Sequence, residues 1–104
     1  MVSVNWTLKA QTALDNIYDY IHQEAPYYAE RVVQQIIDSA DRLDTFPLSG
    51  RPLPEAERED IREVIFQNYR VIYWVMNEQR IDILTVLHGS RDLSNPDNQP
   101  WDSH

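Results

Sequence analysis

His88 closes an apolar run, "ILTVLH" from Ile83, and is followed at once by Gly89, Ser90 and Arg91. Histidine is the side chain whose unperturbed charge change falls near neutral pH, so one at a strand end can take up or release a proton. Arginine grips phosphate through two parallel N–H bonds. Arg51 stands in a loop, Arg62 and Arg70 on neighbouring strand-like segments, and Arg91 just past His88. An antiparallel meander would bring these groups onto one concave sheet face. They would then suit cleavage of RNA, in which a base activates the 2′-hydroxyl and cations stabilise the phosphorane. The plainer reading is a strand end without chemistry, its arginines solvated among Glu55, Glu57, Glu59 and Glu63.

Other chemistries find less support. There is no cysteine, hence no thiolate, disulfide or Cys-built metal site. His22, His88 and His104 are scattered, no HExxH occurs, and no carboxylates cluster at loop spacing, so neither a metal nor a cofactor is expected. The two glycines cannot build a phosphate loop, and Ser49 and Ser90 lack the setting of a nucleophile elbow. His22 falls near a helix end, where it can cap carbonyls or meet the dipole.

The chain of 104 residues is expected to form one domain with a single modest core. Its net charge of -8 argues against broad nucleic-acid binding by the chain alone. Six of the nine basic residues lie between Arg51 and Arg91, so the second half can present a local cationic site on an acidic protein. "MVSVNWTLKA" does not read as a signal peptide, and no apolar run approaches the ~20 residues of a membrane helix. With the absence of cysteine, this leads us to expect a cytoplasmic protein with no membrane partner.

The elements that must position these residues are legible from periodicity. "VSVNW" alternates as a short strand, and Thr7 is placed to cap a helix. Ala10, Leu14, Ile17 and Ile21 form one helical face that Pro26 interrupts. Ala29, Val33, Ile36, Ala40 and Leu43 form a second, closed at Phe46-Pro47. The short connection predicts an antiparallel hairpin. "PLSGRPLPEAERED" reads as a loop with a turn of helix through Ala56. "IREVIFQ", "YRVIYWVM" and "IDILTVLH" then form a meander, with "NEQR" as a hairpin turn. The middle strand alternates Tyr69, Val71, Tyr73, Val75 with Arg70, Ile72, Trp74, Met76, so both faces are greasy. The expected fold is α+β in the order β-α-α-β-β-β, a helical hairpin on one face of a small, mainly antiparallel sheet. The domain is expected over 1–93, with 94–104 a polar tail whose Trp101 either docks back or dangles.

"IREVIFQNYRVIYWV" followed by "ILTVLHGSRDL" resembles the second half of the RelE/ParE toxin superfamily. "AQTALDNIYDYIHQEAPYYAERVVQQIIDSADRLDTFPLSGRP" is similar to that family's helical hairpin and Pro-x-x-Gly-Arg loop. The likeness runs from about Val4 to Leu93 and implies the toxin of a bacterial type II toxin–antitoxin module. RelE-like members cut messenger RNA on the ribosome, whereas ParE-like members poison DNA gyrase. The RelE-like nucleases usually carry several lysines and arginines in the central strands and often a tyrosine shortly after the last. Here the sole lysine is Lys9, and Asp92, Leu93 and Ser94 follow Arg91. The resemblance therefore points to the ParE-like branch: a gyrase poison without catalysis of its own, neutralised by a ParD-like or other cognate antitoxin. Arg51, Arg62, Arg70 and Arg91 are then the expected target contacts, and Tyr18, Tyr73 and Trp74 the expected antitoxin contacts. As a nuclease the chain would rely on His88, Arg70 and Arg91. A non-toxic interaction module is the third reading.

Overall fold

The computed structural model describes residues 1–89 and 99–101. Strand β1 (Ser3–Trp6) leads into helices α1 (Leu8–His22) and α2 (Pro26–Asp41). Strands β2 (Arg51–Pro52), β3 (Ile61–Phe66), β4 (Tyr69–Asn77) and β5 (Arg80–His88) follow. The sheet runs β1-β5-β4-β3-β2, with β1 parallel to β5 and every other pair antiparallel. This is the expected architecture, with two additions. The two-residue β2 extends the sheet at its far edge, and Asp41 is followed by a 3-10 turn at Arg42–Asp44.

Local chemistry sets the helix ends. The Thr7 hydroxyl oxygen accepts from the Ala10 amide at 3.2 Å and donates to the Ile83 carbonyl at 2.7 Å, so one side chain caps α1 and ties it to β5. Pro26 opens α2, where its missing N–H costs nothing. Ala10 and Leu14 on α1, and Ala29, Val32, Ile36 and Ala40 on α2, are buried. All of these but Ala29 pack with Val71, Tyr73, Ile81, Ile83 and Val86 of the sheet as the main core. The alanines let the helices approach this closely.

The opposite face holds a second, smaller core of Leu53, Ile61, Ile72, Leu84 and Trp101. Trp101 is 7% exposed, so it docks onto the sheet. The rest of the expected tail, 94–98 and 102–104, lies outside the described residues, as does Arg91.

One irregularity matters for the site. Ile72 faces Thr85 and Tyr73 faces Ile83, so Leu84 is an extra residue in β5. A bulge reverses the alternation of side chains beyond it. Val86 and His88 are thereby opposite Val71 and Tyr69, on the helix-bearing side.

Candidate functional site

On the helix-free face, Glu63, Ile72 and Arg51 are in register across β3, β4 and β2, and Arg70 lies opposite Ile65 on the same side. The side chains form a chain of alternating charge. Arg51 donates through Nε to Glu63 at 2.7 Å, and Arg70 donates through Nε to the other Glu63 oxygen, also at 2.7 Å. The outer nitrogens of Arg70 reach both oxygens of Glu55 at 3.0 Å. The Glu63 side chain is 0% exposed and that of Arg70 9%, so these charges are affordable only because each is paired. The Arg70 hydrogen bond holds the Glu55 carboxyl below its ordinary range, against the opposing effect of burial.

The Pro-x-x-Gly-Arg loop is fastened beside this network. Buried Tyr73 donates its hydroxyl to the Pro47 carbonyl at 3.0 Å and accepts from the Gly50 amide at 3.1 Å. Arg62 donates to the Gly50 carbonyl at 2.8 Å. A Cβ at Gly50 would lie 2.5 Å from both the Glu63 carbonyl oxygen and the Tyr73 hydroxyl, which is why the loop needs glycine. Burial raises the Tyr73 phenol above its usual range, so it stays a neutral donor.

The residues singled out from sequence are thus only partly gathered. Arg51 and Arg70 share the helix-free face, but Arg62 is opposite Tyr73 on the other side. His88 lies with Tyr69 on that other side, the two rings meeting edge-on at 5.9 Å. The single concave face expected for all of them is corrected: Arg62 alternates with Glu63 in β3 and so takes the other side, and the Leu84 bulge turns His88 to that side as well. Exposed His88 still reaches the rim of a cleft with Arg51, Glu55, Gln67, Asn68, Tyr69 and Arg70.

Two further expectations change. Tyr73, expected to meet a partner, is 0% exposed and serves the core and the loop. Arg70, expected as a contact for the target, already has its donors on Glu55 and Glu63. Half-buried Trp74 donates its indole N–H to Asp60 at 3.0 Å, beneath the Arg58 guanidinium. Tyr18 is half-buried and stacks on His22 at 5.4 Å.

The sequence reading missed Glu55 and Glu63 as functional partners, taking them for solvated charges. A signal was present for Glu63: it stands two residues from both Ile61 and Ile65, so it shares their face. Glu55 carried none, because only the folded loop brings it to Arg70. Among the described residues, no group of histidine and carboxylate side chains could hold a metal ion, and no helix is long and apolar enough to cross a membrane.

Known proteins resemble this chain in sequence and fold. The family model described as the ParE toxin of type II toxin-antitoxin system, parDE, matches residues 4–93. The putative toxin Y4kP of Sinorhizobium fredii is 35% identical over 86 residues, which cover 83% of this chain and 86% of that protein. Toxin RelE2 of Caulobacter vibrioides is 30% identical over 91 residues, covering 88% of this chain and 99% of its own. The chromosomal ParDE system from P. aeruginosa contains a chain that superposes with a TM-score of 0.71 at 27% identity, covering 85% of this chain and 96% of that one. The toxin-antitoxin complex RelBE2 from Mycobacterium tuberculosis contains one with a TM-score of 0.59 at 26% identity, covering 84% and 96% respectively. With the family model spanning the hairpin, the loop and the meander alike, the chain belongs to the ParE toxin family of type II toxin–antitoxin systems.

Proposed function

We propose that this toxin acts as a ParE-like poison of DNA gyrase, binding the enzyme and trapping its cleaved-DNA state, and that a cognate antitoxin neutralises it. The observation that carries this reading is the commitment of Arg70 to Glu55 and Glu63, with His88 on the other side of the strand. General acid–base cleavage of RNA needs a base and a free cation converging on one phosphate. Among the described residues His88 and Arg70 point to opposite sides of the sheet and meet only at the rim of one cleft, and the buried cation is neutralised. A poison that holds another enzyme's intermediate needs no catalytic group. The net charge of -8 also disfavours approach to a ribosomal surface rich in phosphate.

A RelE-like nuclease is the second reading, since one relative is named Toxin RelE2 and one solved neighbour is RelBE2. Two assays on the purified chain separate them: gyrase supercoiling with detection of cleaved DNA, and ribosome-dependent cleavage of a defined message. Cleaved DNA accumulating equally with wild type and His88→Ala is expected. Message cleavage that is lost in His88→Ala, with gyrase unaffected, would overturn the gyrase reading. Growth arrest on expression, relieved by the neighbouring gene, separates either toxin from an inert interaction module.

For the partner surface, exposed Tyr20, Tyr27 and Tyr28 near the hairpin tip, with half-buried Tyr18 and Trp74, are the aromatic groups available to an antitoxin. Aromatic side chains of this kind dominate the energetics of interfaces. Arg51 and Arg62 remain proposed target contacts, and Arg91 is proposed from sequence alone.

A further inference from the structure

The second core is completed by a residue from outside its own strands. Leu53, Ile61, Ile72 and Leu84 are buried, and Trp101 closes the cluster over them. Ala56, Trp74 and Leu87 pack at its margin. The ParE toxin family model matches residues 4–93, and Trp101 lies beyond that stretch. The pocket therefore belongs to the part of the chain shared with the family, and its occupant to the remainder. Among the described residues no hydrogen bond holds the indole, which is kept in place by apolar contact alone.

Its approach passes an open strand edge. β1 pairs with β5 only over residues 80–83, and β5 runs on to His88 with no further strand on that side among the described residues. Buried Pro100 lines the groove between α1 and this edge, with Leu8, Lys9 and Thr12 on one wall and Thr85 and Leu87 on the other. A proline has no N–H, so it covers a strand edge without joining the ladder. Apolar burial is non-directional and accepts another ring of like size. The burial of one indole is also set against the entropy of ordering a terminal segment. A balance of this kind leaves an open form on the order of 1%. Trp74, half-buried and one of the aromatic groups available to an antitoxin, stands at the margin of the pocket. A partner segment that reaches Trp74 is thereby brought to the place of Trp101.

We propose that Trp101 is a displaceable latch: in the free toxin it fills a pocket on the helix-free face into which the antitoxin inserts an aromatic side chain beside Trp74. The inference rests on the antitoxin reading above and names the chemistry of one contact. The two aromatic groups exclude each other, so the antitoxin gives up part of its affinity to open the latch. The choice between gyrase and message as target does not bear on it.

The test first supplies the latch in trans, as a labelled peptide of residues 94–104, "SNPDNQPWDSH". An intramolecular contact acts at an effective concentration on the order of 1 mM, so the peptide should bind the full chain carrying Trp101→Ala at about 10 µM. Wild type should bind it about a hundredfold more weakly, because its own indole must leave first. The same peptide carrying Trp101→Ala should bind neither chain. Equal affinity for the two chains, or no binding to Trp101→Ala, would overturn the latch. Should that variant fail to fold, wild type labelled with fluorotryptophan answers in its place. Under several millimolar unlabelled peptide its Trp101 fluorine resonance should move to the solvent-exposed position, while that of Trp6, packed against the main core, stays; a Trp101 signal that does not move sinks the proposal. The occupant is tested on the same labelled chain with the product of the neighbouring gene. On saturation the Trp101 resonance should move in the same way. A resonance left buried in the saturated complex would overturn the proposal and leave the antitoxin reading standing. A gene product that does not bind would instead end the antitoxin reading, and the named occupant with it, whatever the peptide shows.

Discussion

The two faces of the sheet solve the burial problem in different ways. The helix-bearing face is filled by aliphatic side chains from α1 and α2 over Val71, Tyr73, Ile81, Ile83 and Val86. The helix-free face has no layer upon it among the described residues. It combines a small apolar cluster closed by Trp101 with the chain of Arg51, Glu63, Arg70 and Glu55. Apolar packing is non-directional and tolerant, so the first face makes a scaffold. Buried ions must be matched donor by donor, so the second face is specific and easily unbalanced. The chemistry of this molecule is concentrated where packing alone could not cover the sheet.

The largest break in that comparison is expected on the first face. Ile36→Asp places an unpaired charge at a position that is 0% exposed. It should cost about 4 kcal/mol or more, read as a loss of the folded baseline or a large drop in the urea midpoint. An unchanged midpoint would mean that the helix face has been assigned wrongly.

Trp101→Ala tests whether the second face depends on its cover. Removing this buried indole should cost about 3 kcal/mol, near the lower end for truncating a core aromatic. Chemical denaturation measures it, and increased binding of an apolar dye should report the exposed Ile72 and Leu84. A variant as stable as wild type would show that the second core is not a core.

Tyr73→Phe sharpens the link between the faces, since the ring packs with the helices while its hydroxyl ties the loop that leads to Arg51. Loss of the bonds to Pro47 and Gly50 should cost about 1–2 kcal/mol. Hydrogen exchange should speed up at the Gly50 amide while the α2 amides lose no more protection than the global loss of stability explains. A uniform loss throughout would contradict a local fastening.

The smallest effect is in pH dependence. Glu55 has a folded value lowered from 4.5, chiefly by the Arg70 hydrogen bond. A carboxyl lowered on folding contributes stability that is fully present above its unfolded value and is lost as pH falls through the folded one. Wild type should therefore exceed Glu55→Gln in stability at neutral pH, and the gap should close as pH falls below 4.5 through the lower folded value. Urea midpoints measured across that window check the sign. A gap that widens in acid would mean that Glu55 is not stabilised as a carboxylate.

What the sequence by itself determined is the frame. The helical faces around Ile36 and Ala10, the cap at Thr7, the break at Pro26 and the meander follow from periodicity, because burying an apolar stripe needs no knowledge of its exact partner. The strand order and the added strand β2 were not legible, since pairing depends on contacts far apart in sequence. Nor was the fate of the site residues. Tyr73 looks like any strand aromatic until its hydroxyl meets the Gly50 loop. Arg70 looks free until Glu55, fifteen residues earlier, folds onto it. His88 is decided by a single extra residue, for in an unbroken strand it would share a face with Leu84. The bulge turns it to the side of Tyr69 instead. Side-chain direction in a strand has a period of two, so one inserted residue reverses every direction beyond it. Only the paired sheet reveals where that insertion falls.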